Sequence, residues 1–146
     1  MCWYHADHDK KGIRMVIIVC LDQKNGMRFN HRRLSRDREI IKDIYKMLLD
    51  APLYMSSQSQ ILFEDYDGKI VVDPKFMEKS DMFCFVETSD FDTHKVDEII
   101  VYRFDTVYPT DEYFPINLNE YILMEESEFK GYSHDVITKE IYSKIM

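Results

Sequence analysis

The chain has 146 residues, with 27 acidic and 19 basic side chains and a formal net charge of −8; this is the size of one domain and disfavours nucleic-acid binding through a broad basic face. Hydrophobic residues make up 45% and charged residues 32%, a globular mix that excludes a disordered chain. Only 4 glycines are present and no two are neighbours, so the multi-glycine phosphate loops GxGxxG and GxxxxGK are excluded.

Residues 1–14 are polar and without periodicity and precede a second methionine, Met15. They read as a flexible tail ahead of a domain spanning 15–146. Met15–Leu21 is a continuous apolar, β-branched run and predicts a strand buried on both faces. It is far shorter than the roughly 18 apolar residues of a membrane helix, so no membrane partner is expected. No signal-peptide pattern precedes it, and the cysteines Cys2, Cys20 and Cys84 are odd in number and widely spaced. Free thiols and a cytoplasmic setting are the expectation.

Asp22–Arg33 reads as a polar loop with turn chemistry at Asn25-Gly26. Ser35 is expected to N-cap a helix whose apolar stripe is Ile40, Ile41, Ile44, Met47 and Leu48, ended by Ala51-Pro52. Leu53–Met55 is short and apolar, and Ser56-Ser57-Gln58-Ser59 can cap a short helix running to Phe63. After a turn at Asp65–Gly68, strands are expected at Lys69–Val72, Phe83–Val86, Glu98–Phe104, Tyr121–Glu125 and Val136–Tyr142. The last two suit a long antiparallel hairpin. Strands alternating with helices, followed by an antiparallel end, predict a single three-layer α/β domain with a mixed, mainly parallel sheet.

Asp37 stands out chemically. It lies in the opening turn of the first helix, one turn before Ile41, above the apolar stripe. The helix N-terminus favours its charged form and burial its protonated form. It reads either as an acid that stabilises the helix dipole or as an acid at the edge of a pocket. Arg28, Arg32, Arg33, Arg36 and Arg38 crowd the same segment and read either as a solvated basic face or as a clamp for a phosphate or carboxylate. His31, His94 and His134 are isolated in sequence. The aromatic residues Tyr102, Tyr108, Tyr113, Phe114 and Tyr121 read as sheet and core packing.

The stretch Met15–Ile44 resembles the opening of dihydrofolate reductase. A strand ends at Asp22, Gly26 follows four residues later, and Leu34-Ser35-Arg36-Asp37 stands where that family has Leu-Pro-x-Asp. Asp97–Asp105 looks like the family's late strand, Asp111 to Phe114-Pro115 like its Asp-x-x-Phe-Pro turn, and the segments from Ser127 to Tyr142 like its closing hairpin. The resemblance implies a dihydrofolate-reductase-like fold over Met15–Tyr142. It places Asp37 as the acid that holds a pterin ring and assists protonation during hydride transfer. It places Ile41, Tyr102, Arg32 and Arg33 beside the substrate, and Gly26, Ser56, Ser57 and Ser59 beside NADPH.

Departures are equally informative. The family's Gly-Arg-x-Thr reads Ser56-Ser57-Gln58-Ser59, which keeps a hydroxyl but loses the arginine that grips a phosphate. Glu87-Thr88 replaces a Gly-Gly pair that lets backbone approach the dinucleotide. The loop's Pro-Trp falls near His31-Arg32-Arg33, and the Thr that hydrogen-bonds the acid falls on Tyr102. The expectation is a divergent member with an eroded NADPH site that binds a small anionic or heteroaromatic ligand near Asp37. Alternatives are an active NADPH-dependent reductase of dihydrofolate or a related pterin, and an interaction module using the acidic, aromatic C-terminal hairpin. A remote alternative rests on His5-Ala6-Asp7-His8-Asp9, which is similar to part of the HxHxDH motif of metallo-β-lactamase-like hydrolases, the superfamily of ribonuclease Z. That motif is incomplete here, and no metal site is expected.

Overall fold

The computed structural model describes residues 15–79 and 83–145. Among the described residues, ten strands and two α-helices follow one another as β1 (Val16–Leu21), β2 (Gly26–Phe29), β3 (Arg32–Arg33), α1 (Arg38–Leu48), β4 (Leu53–Met55), β5 (Ile70–Val72), α2 (Phe76–Lys79), β6 (Phe83–Phe85), β7 (Glu98–Phe104), β8 (Glu112–Tyr113), β9 (Tyr121–Phe129) and β10 (Ile137–Lys144). The main sheet has the order β5-β4-β6-β1-β7-β10-β9. Pairings from β5 through β7 are parallel, and β10 runs antiparallel to both of its neighbours. The expected mixed sheet with its closing hairpin is therefore present.

β1 lies at the centre, and its six residues alternate between two apolar layers. Val16 and Ile18 face a cluster with Ile40, Ile44, Phe85, Ile100, Tyr102 and Phe104. Ile17, Val19 and Leu21 face a second cluster with Cys84, Val86, Ile99, Val101 and Phe114. Burial on both faces explains why the strand reads as an unbroken apolar run rather than an alternating one. Helix α1 covers the first face with Ile40, Ile44, Met47 and Leu48, the i, i+4, i+7, i+8 stripe that its sequence carries.

Two expectations need correction. Asp37, not Ser35, caps α1: its backbone is extended (φ −151°, ψ 123°) and its carboxylate accepts from the Glu39 N–H. A cap at Asp37 starts the helix at Arg38 and leaves the Ser35 side chain outside it. The segment read as a polar loop contains a small hairpin, β2–β3, to which β8 adds a third strand. Its two-residue connection is Asn30-His31, both at positive φ (53° and 63°). That is the primed-turn conformation that a tight hairpin requires, here without glycine. Two further strands are longer than expected, with β9 running on to Phe129 and β10 to Lys144. The segment from Ser59 forms only a 3-10 turn, Gln60–Phe63, with no side-chain cap.

Truncating the central layer and the exposed edge separates burial from pairing. Ile100→Ala, in β7 at full burial, is expected to cost about 2–5 kcal/mol in denaturant unfolding. Leu123→Ala on edge strand β9, 47% exposed, is expected to stay within about 0.5 kcal/mol of the parent.

Candidate functional site

The C-terminal ends of β4, β6 and β1 open on one side of the sheet, the place where open α/β sheets bind ligands. A cleft of about 990 Å³ lies there, between α1 and the segment 61–67. Its walls include Ile41, Tyr45, Ile61, Leu62 and Tyr66, and its inner end includes Cys20, Phe85, Val86 and Glu87. Tyr66 meets Tyr45 and Phe63 edge-on at 5.6 and 5.4 Å. The Tyr66 hydroxyl is buried and makes no hydrogen bond among the described residues. Burial, with Tyr45 nearby, pushes its ionisation up to about 12, so it remains a neutral donor.

Asp37 lies at the mouth of this cleft, with its side chain fully buried. Its Oδ1 accepts from the backbone N–H of Glu39 (3.0 Å) and of Tyr132 (2.7 Å). Its Oδ2 accepts from the N–H of Ser133 (2.9 Å) and of His134 (3.2 Å), and lies 2.9 Å from His134 Nδ1. Burial opposes ionisation, but donors from Tyr132, His134, Ser133 and Glu39 outweigh it and hold the carboxyl at about 2. The acid thus clamps the β9–β10 turn onto the start of α1. Gly131 is required by this approach: a Cβ there would fall 2.6 Å from Asp37 Oδ2 and 2.8 Å from the His134 carbonyl oxygen.

His134 completes the arrangement. With Asp37 ionised, Nδ1 carries a hydrogen toward Oδ2, and in the neutral imidazole Nε2 is then the acceptor. Two hydroxyls reach that atom, Ser35 Oγ at 3.1 Å and Tyr108 Oη at 3.0 Å. The ring stacks on Phe104 with centroids 4.7 Å apart. His134 is isolated in sequence, and only the hairpin turn carries it to Asp37.

The other expected residues divide into separate places. Tyr102 is fully buried under α1, and its hydroxyl donates to Asp43 Oδ2 at 2.6 Å rather than to Asp37. Asp43 lies on the helix beyond Asp37 and also pairs with Lys139 at 2.8 Å. Arg33 makes two bonds to Glu87, Nε to Oε2 at 2.7 Å and Nη2 to Oε1 at 2.9 Å. Ser59 Oγ donates to the same Glu87 carboxylate at 2.8 Å and is nearly fully buried. Arg32 and Ser59 share with Arg33 and Glu87 a second cavity of about 740 Å³. Ser56 touches that group only through Ser59 Oγ, at 3.4 Å, and Ser57 is exposed. Gly26 lines neither cavity: its N–H donates to Asp22 Oδ1 at 2.8 Å, and a Cβ would fall 2.6 Å from Thr110 Oγ1. Its glycine therefore serves a close packing contact.

The arginine cluster is likewise divided. Arg28 pairs with Glu112 at 2.6 Å, Arg33 with Glu87, and Arg38 lies 3.5 Å from the centre of the Tyr132 ring. Arg32 and Arg36 are exposed. Burial, with Glu87 adding to it, pushes the Cys20 thiol up, which makes it a poor nucleophile. His5 and His8 lie outside the described residues, among which no group of three or more His, Cys, Asp or Glu side chains is placed to hold a metal ion. No helix of the described residues is long and apolar enough to cross a membrane.

Gly131→Ala is expected to destabilise the fold by about 1–3 kcal/mol, measured by chemical denaturation, because neither the clamped carboxylate nor the backbone carbonyl can move aside freely. The clamp also sets an acid limit. The folded carboxyl titrates at about 2 against an ordinary 3.8, so its contribution is complete above the higher value and fades as pH falls toward the lower one. Unfolding followed across that range should show about 2 kcal/mol of Asp37-dependent stability disappear, and Asp37→Asn should remove that part of the pH dependence.

No protein-family model matches the chain, and no curated protein matches it in sequence. Among solved structures it is similar to a dihydrofolate reductase from Enterococcus faecalis complexed with NADP(H) and RAB-propyl, at 10% identity and a TM-score of 0.64. The likeness covers 91% of this chain and 97% of that one. At that identity it establishes architecture alone: the chain has a dihydrofolate-reductase-like α/β fold.

Proposed function

We propose that this protein binds a small heteroaromatic or anionic ligand in the cleft between α1 and residues 61–67, and that it has lost the cofactor half of a reductase. The observation that carries the reading is the cleft itself: about 990 Å³, walled by the Tyr45–Tyr66 aromatic pair, with the Tyr66 hydroxyl buried and unpaired. A flat ring packs well against such a wall. Arg36 and Lys46 line the cleft together with Glu64, Asp65 and Asp67, so charged groups of both signs are at hand for a ligand's polar substituents.

The resemblance places the NADPH phosphates at Ser56–Ser59 and at Glu87-Thr88, and these residues do not fit that group. The Glu87 carboxylate already takes the Arg33 guanidinium in a bidentate pair and the Ser59 hydroxyl. A phosphate would have to break those bonds and sit beside a like charge. The solved neighbour holds NADP(H); here the cavity of about 740 Å³ beside Ser59 and Glu87 carries an acid already paired with Arg33. Asp37 also departs from the role that the resemblance gives it, because both of its oxygens are committed to the chain's own N–H groups.

Thermal unfolding of the full chain with dihydrofolate, a folate-site inhibitor or NADPH tests the reading. A ligand at a hundredfold excess over its Kd stabilises the native state by about 2.7 kcal/mol. A rise is expected with the heteroaromatic ligands and none with NADPH, and Tyr45→Ala, which removes part of the aromatic wall, should reduce the rise. Stabilisation by NADPH, accompanied by dihydrofolate turnover, would overturn the proposal in favour of an active reductase.

A further inference from the structure

We propose that Ser35, Asp37 and His134 form a nucleophilic triad, with Ser35 and Asp37 lining the cleft and His134 buried behind them, which hydrolyses a small carboxylic ester whose acyl part is flat and apolar. The geometry has the order that such chemistry needs. Asp37 Oδ2 stands 2.9 Å from His134 Nδ1, and His134 Nε2 stands 3.1 Å from Ser35 Oγ. The carboxylate is buried and fixed by four backbone donors from its own helix and the hairpin turn. It therefore sets the imidazole tautomer and ring orientation, while the stacked Phe104 holds the ring plane.

Ser35 is the member open to substrate. It is only half-buried and lines the 990 Å³ cleft, as Arg36 and Arg38 do. A serine at a helix start ordinarily caps it, but Asp37 performs that task here. The Ser35 hydroxyl is directed instead at the imidazole acceptor. Tyr108 reaches the same Nε2 at 3.0 Å but does not line the cleft, so it steadies the ring rather than meeting substrate. The other hydroxyl near the histidine, Ser133 Oγ, lies on the Nδ1 side at 3.2 Å and has no path to the base.

The reaction balances with water alone as co-reactant. Ser35 Oγ bonds to the ester carbonyl carbon as its proton passes to His134 Nε2, and the carbonyl pair moves onto oxygen. Arg36 and Arg38 provide positive potential for that oxygen. The pair then returns, the C–O bond to the alcohol breaks, and the leaving alkoxide takes the proton from Nε2. Water repeats both steps and releases the carboxylic acid from Ser35.

This inference does not depend on the ligand reading above, and its test reads a different quantity. The full chain is treated with an alkyl fluorophosphonate and, separately, with p-nitrophenyl benzoate, with adducts located by peptide mass mapping. One adduct at Ser35 is expected. Ser35→Ala should abolish the adduct and lower ester hydrolysis at least about a hundredfold, while Ser127→Ala on the exposed face of β9 should leave both unchanged. His134→Gln should slow labelling of Ser35 to a similar degree while the far-UV spectrum stays native. Should that variant fail to fold, the pH profile of Ser35 labelling in the parent decides: a sigmoidal rise with pH indicates an imidazole base. Labelling elsewhere, no labelling of the folded chain, or a Ser35 rate independent of both pH and His134 would overturn the proposal.

Discussion

The Asp37 carboxylate is the contact on which the rest of this site depends. It joins two parts of the chain that are 95 to 97 residues apart, the start of α1 and the turn of the closing hairpin. A buried carboxylate is costly unless its oxygens are satisfied, and here backbone N–H groups from both parts converge on it. The same contact requires Gly131, orients His134, and leaves Ser35 without a capping task. One acid thereby fixes the helix, the hairpin turn and the His134 imidazole.

The Arg33–Glu87 pair plays the corresponding part at the inner end of the cleft. Glu87 follows β6 and lines both cavities. Its charge is matched by Arg33 and Ser59 in a partly buried setting, where a bidentate pair is stronger and more directional than an exposed one. The result is a dihydrofolate-reductase-like scaffold with an open cleft beside α1 and a second cavity whose Glu87 carboxylate is matched by the chain's own Arg33 and Ser59. The fold by itself does not dictate the chemistry placed on it.

Much of the architecture was legible because the signals were local. β1 and β7 declared themselves as unbroken β-branched runs, and α1 as a stripe of four buried positions. The hairpin β2–β3 was not legible, because Asn30-His31 adopts the primed turn without the glycine that usually marks it. Beside the cleft, Asp37 stood out in the sequence as an acid at a helix start and Glu87 as an acid where the resemblance has glycine. The partners of Asp37 did not, since Ser133 and His134 meet it through tertiary structure and carry no spacing signal. The resemblance set Tyr102 beside Asp37, but its hydroxyl answers Asp43, six residues further along the chain. Ser35 misled for a physical reason: serine and aspartate are equally good caps, and the backbone turned helical after the second.

The central claim is that Asp37 is an ionised clamp rather than an acid held for a ligand. Its side-chain carboxyl carbon can be followed by NMR through an acid titration of the folded chain. The account predicts a midpoint near 2, with the Tyr132 and Ser133 amide signals moving in step with it. A midpoint at or above the ordinary 3.8, with those amides unaffected, would contradict it.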